Sequence, residues 1–256
     1  MGPSFNEQFD QHGAWRRAFA QQLKQLAEWM SNHDLMDAAV QERLLRLEGQ
    51  VRTDQVMVAF VAEFSRGKSE LINAIFFADY GRRIMPASAG RTTMCPTELG
   101  YDSALPPSLR LLPIETRLQM QGLADWRLKP ERWVEIALDV NNADQIAKAL
   151  EKVSEIRRVS IEDARALGFW HDDLTDENPV PDVDGLVEVP MWRHALINIP
   201  HPLLKQGLVI LDTPGLNAVG AEPELTVNLI PQAHAVVFIL SADTGVTRSD
   251  LSIWRE

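Results

Sequence analysis

The sequence predicts a three-layer α/β domain preceded by a helical segment. Three observations carry this. Apolar runs recur at QVMVAFV (55–61), GLVILD (207–212) and AVVFIL (235–240), and the first, rich in β-branched residues, reads as a strand buried on both faces of a parallel sheet. Strand, loop and helix patterns alternate along the chain, which winds helices over a sheet. Residues 5–50 instead carry apolar residues at three- and four-residue spacing, the helical period. With 256 residues and 45% hydrophobic content, the chain is long enough to bury a sizeable core.

In the helical segment, Trp15, Phe19, Leu23, Leu26 and Met30 make one stripe. Asp34, with Asp37 three residues on, reads as the N-cap of a second helix with the stripe Met36, Val40, Leu44, Leu47 and Val51. We take 1–52 as this segment and 53–256 as the α/β domain. Periodicity leaves open whether the helices simply pack on that domain or form an interaction bundle.

Within the domain, QVMVAFV leads through a loop into a helix from Lys68 to Phe77. Residues 97–112 hold a weaker strand region interrupted by Pro106 and Pro107. Residues 113–190 are the least regular part and read as an insertion. There Asn142 with Gln145 resembles a capping box ahead of the stripe Ile146, Leu150, Val153, Ile156. Ser160 with Asp163 forms another cap, and Gly168 a stop. The acidic run His171–Gly185 matches no calcium loop and reads as a solvated flexible loop. HALINI (194–199) and GLVILD are two β runs joined through Pro200 and Pro202. Helices are expected from Glu222 to Ile230 and from Arg248 onward.

Composition excludes several classes. The formal net charge is -11 with the two signs interspersed, so no basic stripe marks a nucleic-acid partner. Cys95 is the sole cysteine, which rules out an internal disulfide and fits a cytosolic location. No apolar stretch approaches the length of a membrane span, and the N-terminus lacks a signal-peptide core. Membrane contact, if any, is expected to be peripheral. The six histidines show no metal-type spacing.

Three stretches together carry chemistry. The first is AEFSRGKS, comprising Ala62, Glu63, Phe64, Ser65, Arg66, Gly67, Lys68 and Ser69. Backbone N–H groups of such a loop wrap a diphosphate, and the following helix N-terminus adds partial positive charge. Gly67 allows close backbone approach, Lys68 reaches the β- and γ-phosphates, and the Ser69 hydroxyl ligates Mg²⁺. The second is LVILDTPG, a strand ending in Asp212 followed by Thr213, Pro214 and Gly215. An aspartate at the end of a neighbouring strand holds Mg²⁺ through water, and the glycine N–H senses a γ-phosphate. On its own, Asp-Thr-Pro-Gly is also an ordinary turn. The third is RTTMCPTE, Arg91–Glu98, in which a threonine completes the Mg²⁺ shell. By itself that stretch is no more than a Ser/Thr-rich loop entering a strand.

Taken in order, phosphate loop, switch threonine and D-T-P-G are those of a P-loop GTPase. The particular residues resemble the dynamin superfamily, and bacterial dynamin-like proteins above all. GKSELINAI resembles the family's phosphate loop and first helix. T-x-x-P, Thr93 to Pro96, matches its switch pattern and selects Thr93 over Thr92. INIPHPLLKQGLVILDTPGL resembles its β-hairpin leading into D-x-P-G, and AVVFILSADTGVTRSDLSIW the strand and helix after it. The resemblance spans about 50–256 with gaps. It implies a dynamin-type GTPase domain that binds Mg²⁺ and GTP and forms a homodimer across the nucleotide site. It also implies membrane remodelling at the inner face of a membrane, through regions outside this chain. Lys68, Ser65 and Thr93 would be the catalytic set, and Ser69, Thr93 and Asp212 the Mg²⁺ set. Arg66 and Arg91 lie close enough to the loops to assist, although a solvent-facing role is the plainer expectation for each.

The sequence departs from the family in three places. Ala62 stands where glycine is usual, at a cost on the order of 1 kcal/mol if the position needs φ > 0. Phe64 replaces the glutamine of classical dynamins, while Ser65 keeps their serine. No N/T-K-x-D appears, and the resemblance puts that guanine-reading motif beyond Glu256. We therefore expect a fragment with weak or absent turnover of its own. A nucleotide-binding scaffold that does not hydrolyse, and a P-loop ATPase, stand as alternatives.

Overall fold

The computed structural model describes residues 5–33, 35–37, 40–41, 43–44, 47, 55–63, 66–86, 95–172, 178–214, 230–240, 242, 245–246 and 251. The chain divides into two units, Met1–Gln55 and Val56–Glu256.

The first unit contains α1, Phe5–Asn32, in which Trp15 stacks on Phe19 with ring centroids 5.4 Å apart. Asp37 caps the helical residues that follow. Its Oδ1 accepts from the Val40 N–H at 2.7 Å and its carbonyl from that of Gln41. The expected cap, Asp34, lies outside the described residues.

The second unit is built on a seven-stranded sheet. Its strands are β1 Val56–Val61, β2 Thr97–Gly100, β3 Ser108–Pro113, β4 Val134–Ala137, β7 Trp192–Asn198, β8 Leu208–Asp212 and β9 Ala235–Phe238. Their order is β4-β3-β7-β2-β8-β1-β9. β1 runs parallel to both β8 and β9. β2 is parallel to β7 but antiparallel to β8, and β3 is antiparallel to β7 and β4. The sheet is therefore mixed, where buried runs alone had suggested parallel pairing.

Helices cover both faces. On one face α2, Lys68–Phe76, and α4, Ala143–Glu151, bury Ile72, Phe76, Ile146 and Leu150 against Phe60, Leu99, Ile197 and Ile210. On the other, Ala59, Val61 and Leu211 pack with Leu123 of α3, Leu123–Arg127, and with Ile230 and Ala233. Alternation along β1 explains how one apolar run serves both layers.

The insertion at 113–190 is folded. β4 joins the main sheet, while β5, Ile156–Val159, pairs with β6, Val187–Pro190, as a separate two-stranded sheet. A small core of Ile114, Ala164, Leu167, Phe169, Val187 and Val189 fills the space beside α5, Ile161–Ala166. Ser160 caps α5 as expected, accepting from the Asp163 N–H. The capping box at Asn142 is only half formed. Asn142 accepts from the Gln145 N–H, but the Gln145 side chain donates to the Ala137 carbonyl and accepts from the Asp139 N–H instead. The acidic run is tied down at three points, with Asp182 and Asp184 paired to Arg158 and Asp172 to Arg165. No described helix is long and apolar enough to cross a membrane.

Candidate functional site

The site forms where β1 and β8 end side by side. These parallel strands are in register, with Phe60 opposite Asp212, so both release their chains at the same edge of the sheet. β1 gives way to Ala62, which has no exposed surface. Gly67 then takes a left-handed conformation at φ 83° and directly precedes Lys68, the first residue of α2. Only glycine adopts that conformation without strain. Its carbonyl accepts from the Leu71 N–H at 3.0 Å.

Lys68 Nζ reaches across to Asp212, 2.7 Å from Oδ1. Asp212 is buried, and apart from this ion pair neither of its carboxylate oxygens has a hydrogen-bond partner among the described residues. Thr213, next along, spends its hydroxyl on the Phe60 carbonyl at 2.9 Å, tying the end of β8 to β1. Pro214 follows in the described chain. Ser69 sits half-buried in the first turn of α2.

Glu63 and Arg66 form an ion pair within the loop, and Arg66 also donates to the Gly245 carbonyl at 3.3 Å. The Arg66 side chain is only 7% exposed. It braces the loop rather than facing solvent, which corrects the sequence expectation. Phe64, Ser65, Arg91, Thr93 and Gly215 lie outside the described residues. The structure thus brings together Ala62, Glu63, Arg66, Gly67, Lys68, Ser69, Asp212, Thr213 and Pro214.

The donor set suits a hard divalent cation. A carboxylate held only by Lys68 and a hydroxyl at a helix N-terminus are oxygen ligands of the type Mg²⁺ takes beside a triphosphate. Asp212 and Ser69 would hold it, and the metal would supply charge neutralisation at the phosphates.

Three buried polar residues behind the site escaped the sequence reading. Asn73 of α2 donates to the Met85 carbonyl and accepts from the N–H groups of Ile84 and Met85, holding the chain that leaves the helix. Its signal was an asparagine inside an apolar helix stripe. Glu98 and His194 pair across β2 and β7 at 2.8 Å, and Arg127 joins them. Burial would raise the Glu98 carboxyl, but His194 and Arg127 together outweigh it and bring it down to about 2.

Residues 58–255 match the model of the dynamin family. A bacterial dynamin-like protein of Nostoc punctiforme is 34% identical over 67 residues, which are 26% of this chain and 8% of that protein. Two solved chains of an oligomerised bacterial dynamin pair, described as a mechanism for long-range sensing and tethering of membranes, each align over 94% of this chain at 14% identity. Their TM-scores are 0.44 and 0.43, and the alignments cover 30% and 36% of those chains. This chain therefore spans well under half of the relatives it matches.

Proposed function

The chain belongs to the dynamin family, and we propose that it binds Mg²⁺-GTP and hydrolyses the γ-phosphate as a dynamin-like GTPase. The observation that carries this reading is Lys68 beside Asp212, at the shared edge of β1 and β8 and next to the left-handed Gly67. A cation and a carboxylate with no other partner among the described residues, held this close, are what a magnesium-bound triphosphate requires from its two sides.

In this reading Lys68 turns from Asp212 to the β- and γ-phosphates, freeing the carboxylate for the metal shell. Ser69 and Thr93 would hold the metal. Thr93 would also hold the attacking water through its carbonyl, and the Gly215 N–H would meet the γ-phosphate. Ser65 stabilises charge between the phosphates. Membership of the family further supports nucleotide-dependent dimerisation across the site and action on a membrane from its inner face.

Phosphate release, measured on a protein that carries this chain together with a base-reading loop, tests the proposal. The protein is expected to release phosphate from GTP only with Mg²⁺ present, and Lys68→Ala to abolish it. Release equal to that of Lys68→Ala would overturn the enzyme reading in favour of a binding scaffold. Competition by ATP as strong as by GTP would overturn the choice of base.

A further inference from the structure

Glu98 poses a problem that its neighbours solve. It is a carboxylate in β2, the central strand of seven, and only 5% exposed. Replacing such buried ionic groups with apolar ones is often neutral or stabilising, so the cluster calls for a reason beyond stability. His194 Nε2 lies 2.8 Å from Glu98 Oε1, and the Arg127 guanidinium binds the same oxygen. The His194 ring is fully buried, its Nδ1 without a hydrogen-bond partner among the described residues, and it makes a T-shaped contact with Trp133. Arg127 alone of the three reaches solvent, with 43% of its side chain exposed.

Geometry ties this cluster to the candidate site. Thr97, the preceding residue, lies directly opposite Asp212, and Glu98 lies opposite Leu211. Successive residues alternate faces, so Glu98 points to the face away from Asp212. A one-residue slip of β2 would turn it into the apolar cluster around Phe60, Ile72 and Ile210, away from His194 and Arg127. The Ala195 N–H donates to the Pro96 carbonyl at 3.0 Å, so β7 holds β2 at the same level from its other side.

We infer that Glu98 is a positioning residue for Asp212, and that Arg127 makes the insertion an input to the site. The cluster locks β2 in register with β8 and so fixes where Asp212 presents its oxygens. Because α3 carries Arg127, anything that shifts α3 reaches the carboxylate through one guanidinium. This rests on the reading of Asp212 as the Mg²⁺ carboxylate.

The test uses Arg127→Met, Arg127→Lys and Glu98→Gln in the protein. Arg127→Met changes a half-exposed residue and leaves the Glu98–His194 bond, so the fold should survive. We expect the Mg²⁺ concentration for half-maximal binding of fluorescent GTP to rise by roughly tenfold in Arg127→Met, as for other residues that orient a ligand from behind. Arg127→Lys should recover most of that loss, and nucleotide affinity without Mg²⁺ should stay within about twofold. Amide exchange over 208–214 should quicken in Arg127→Met and Glu98→Gln. Unchanged Mg²⁺ dependence and unchanged exchange, with only a lower melting temperature, would overturn the inference. If the unsubstituted protein binds no Mg²⁺-nucleotide, the functional reading fails. The exchange measurement alone then decides the positioning claim.

Discussion

Lys68 Nζ lies 2.7 Å from Asp212 Oδ1, and among the described residues no group donates a hydrogen bond to either oxygen of that carboxylate. The side chains are 12% and 4% exposed, so each depends on the other for charge balance. Removing one partner of a buried pair leaves a charge without compensation, which costs about 3–5 kcal/mol. Lys68→Ala is therefore expected to lose roughly 3 kcal/mol in urea unfolding, apart from any effect on nucleotide. Adding Asp212→Asn should return most of it, because the amide carries no charge. Losses that simply add in the double variant would mean that the two groups do not interact.

Glu98 makes stability depend on acid. Its carboxyl is held at about 2 in the folded chain against an ordinary 4.5. A folded value below the unfolded one stabilises at every pH above the unfolded value. That stability is lost as pH falls through the folded value, so the window runs from about 4.5 down to about 2. At about 1.4 kcal/mol per pH unit, the contribution is on the order of 3 kcal/mol. Urea midpoints measured across that window should fall more steeply for the native sequence than for Glu98→Gln. Parallel curves would mean that His194 and Arg127 do not hold the carboxylate ionised.

The parallel strands at the site were legible because β1 and β8 are buried on both faces and read as unbroken apolar runs. The loop and Asp212 followed from residue type and spacing alone. Charged residues inside strands were not legible. β7 begins two residues before HALINI, at Trp192 and Arg193, because the Arg193 guanidinium donates to the Thr116 carbonyl and so tolerates burial. Glu98 reads as polar until its partners, 29 and 96 residues away, are known. β4 is only four residues long and mostly exposed, and its place at the sheet edge depends on pairing with β3. Long-range pairing of this kind leaves no periodic trace in the chain.

Cys95 offers a direct probe of β2. It is buried ahead of Thr97, and burial pushes its thiol up to about 12, well above the range in which a thiolate forms at neutral pH. As the chain's sole cysteine, it gives a single-site readout. Native protein at pH 8 is expected to react with a thiol reagent orders of magnitude more slowly than unfolded protein, at a rate set by local opening. Equal rates in the two states would show that the start of β2 is not closed over the thiol.

Gly67 separates the backbone's role in folding from its role in binding. At φ 83° an added methyl costs about 1 kcal/mol in backbone strain. Apart from its chain neighbours, a Cβ built there meets no heavy atom of the described residues within 4 Å, so those residues add no steric penalty. Gly81 is a matched control, at φ 65° with equally open surroundings, beyond the far end of α2. Gly67→Ala and Gly81→Ala are both expected to lose about 1 kcal/mol in urea unfolding. Only Gly67→Ala should also lose nucleotide affinity, by about tenfold or more, because phosphates approaching that backbone would meet the new methyl. Titration with fluorescent GTP gives the comparison. If the two variants bind equally well, the backbone at Gly67 does not approach the phosphates, and the loop from Ala62 to Ser69 is not the clamp its residues suggest.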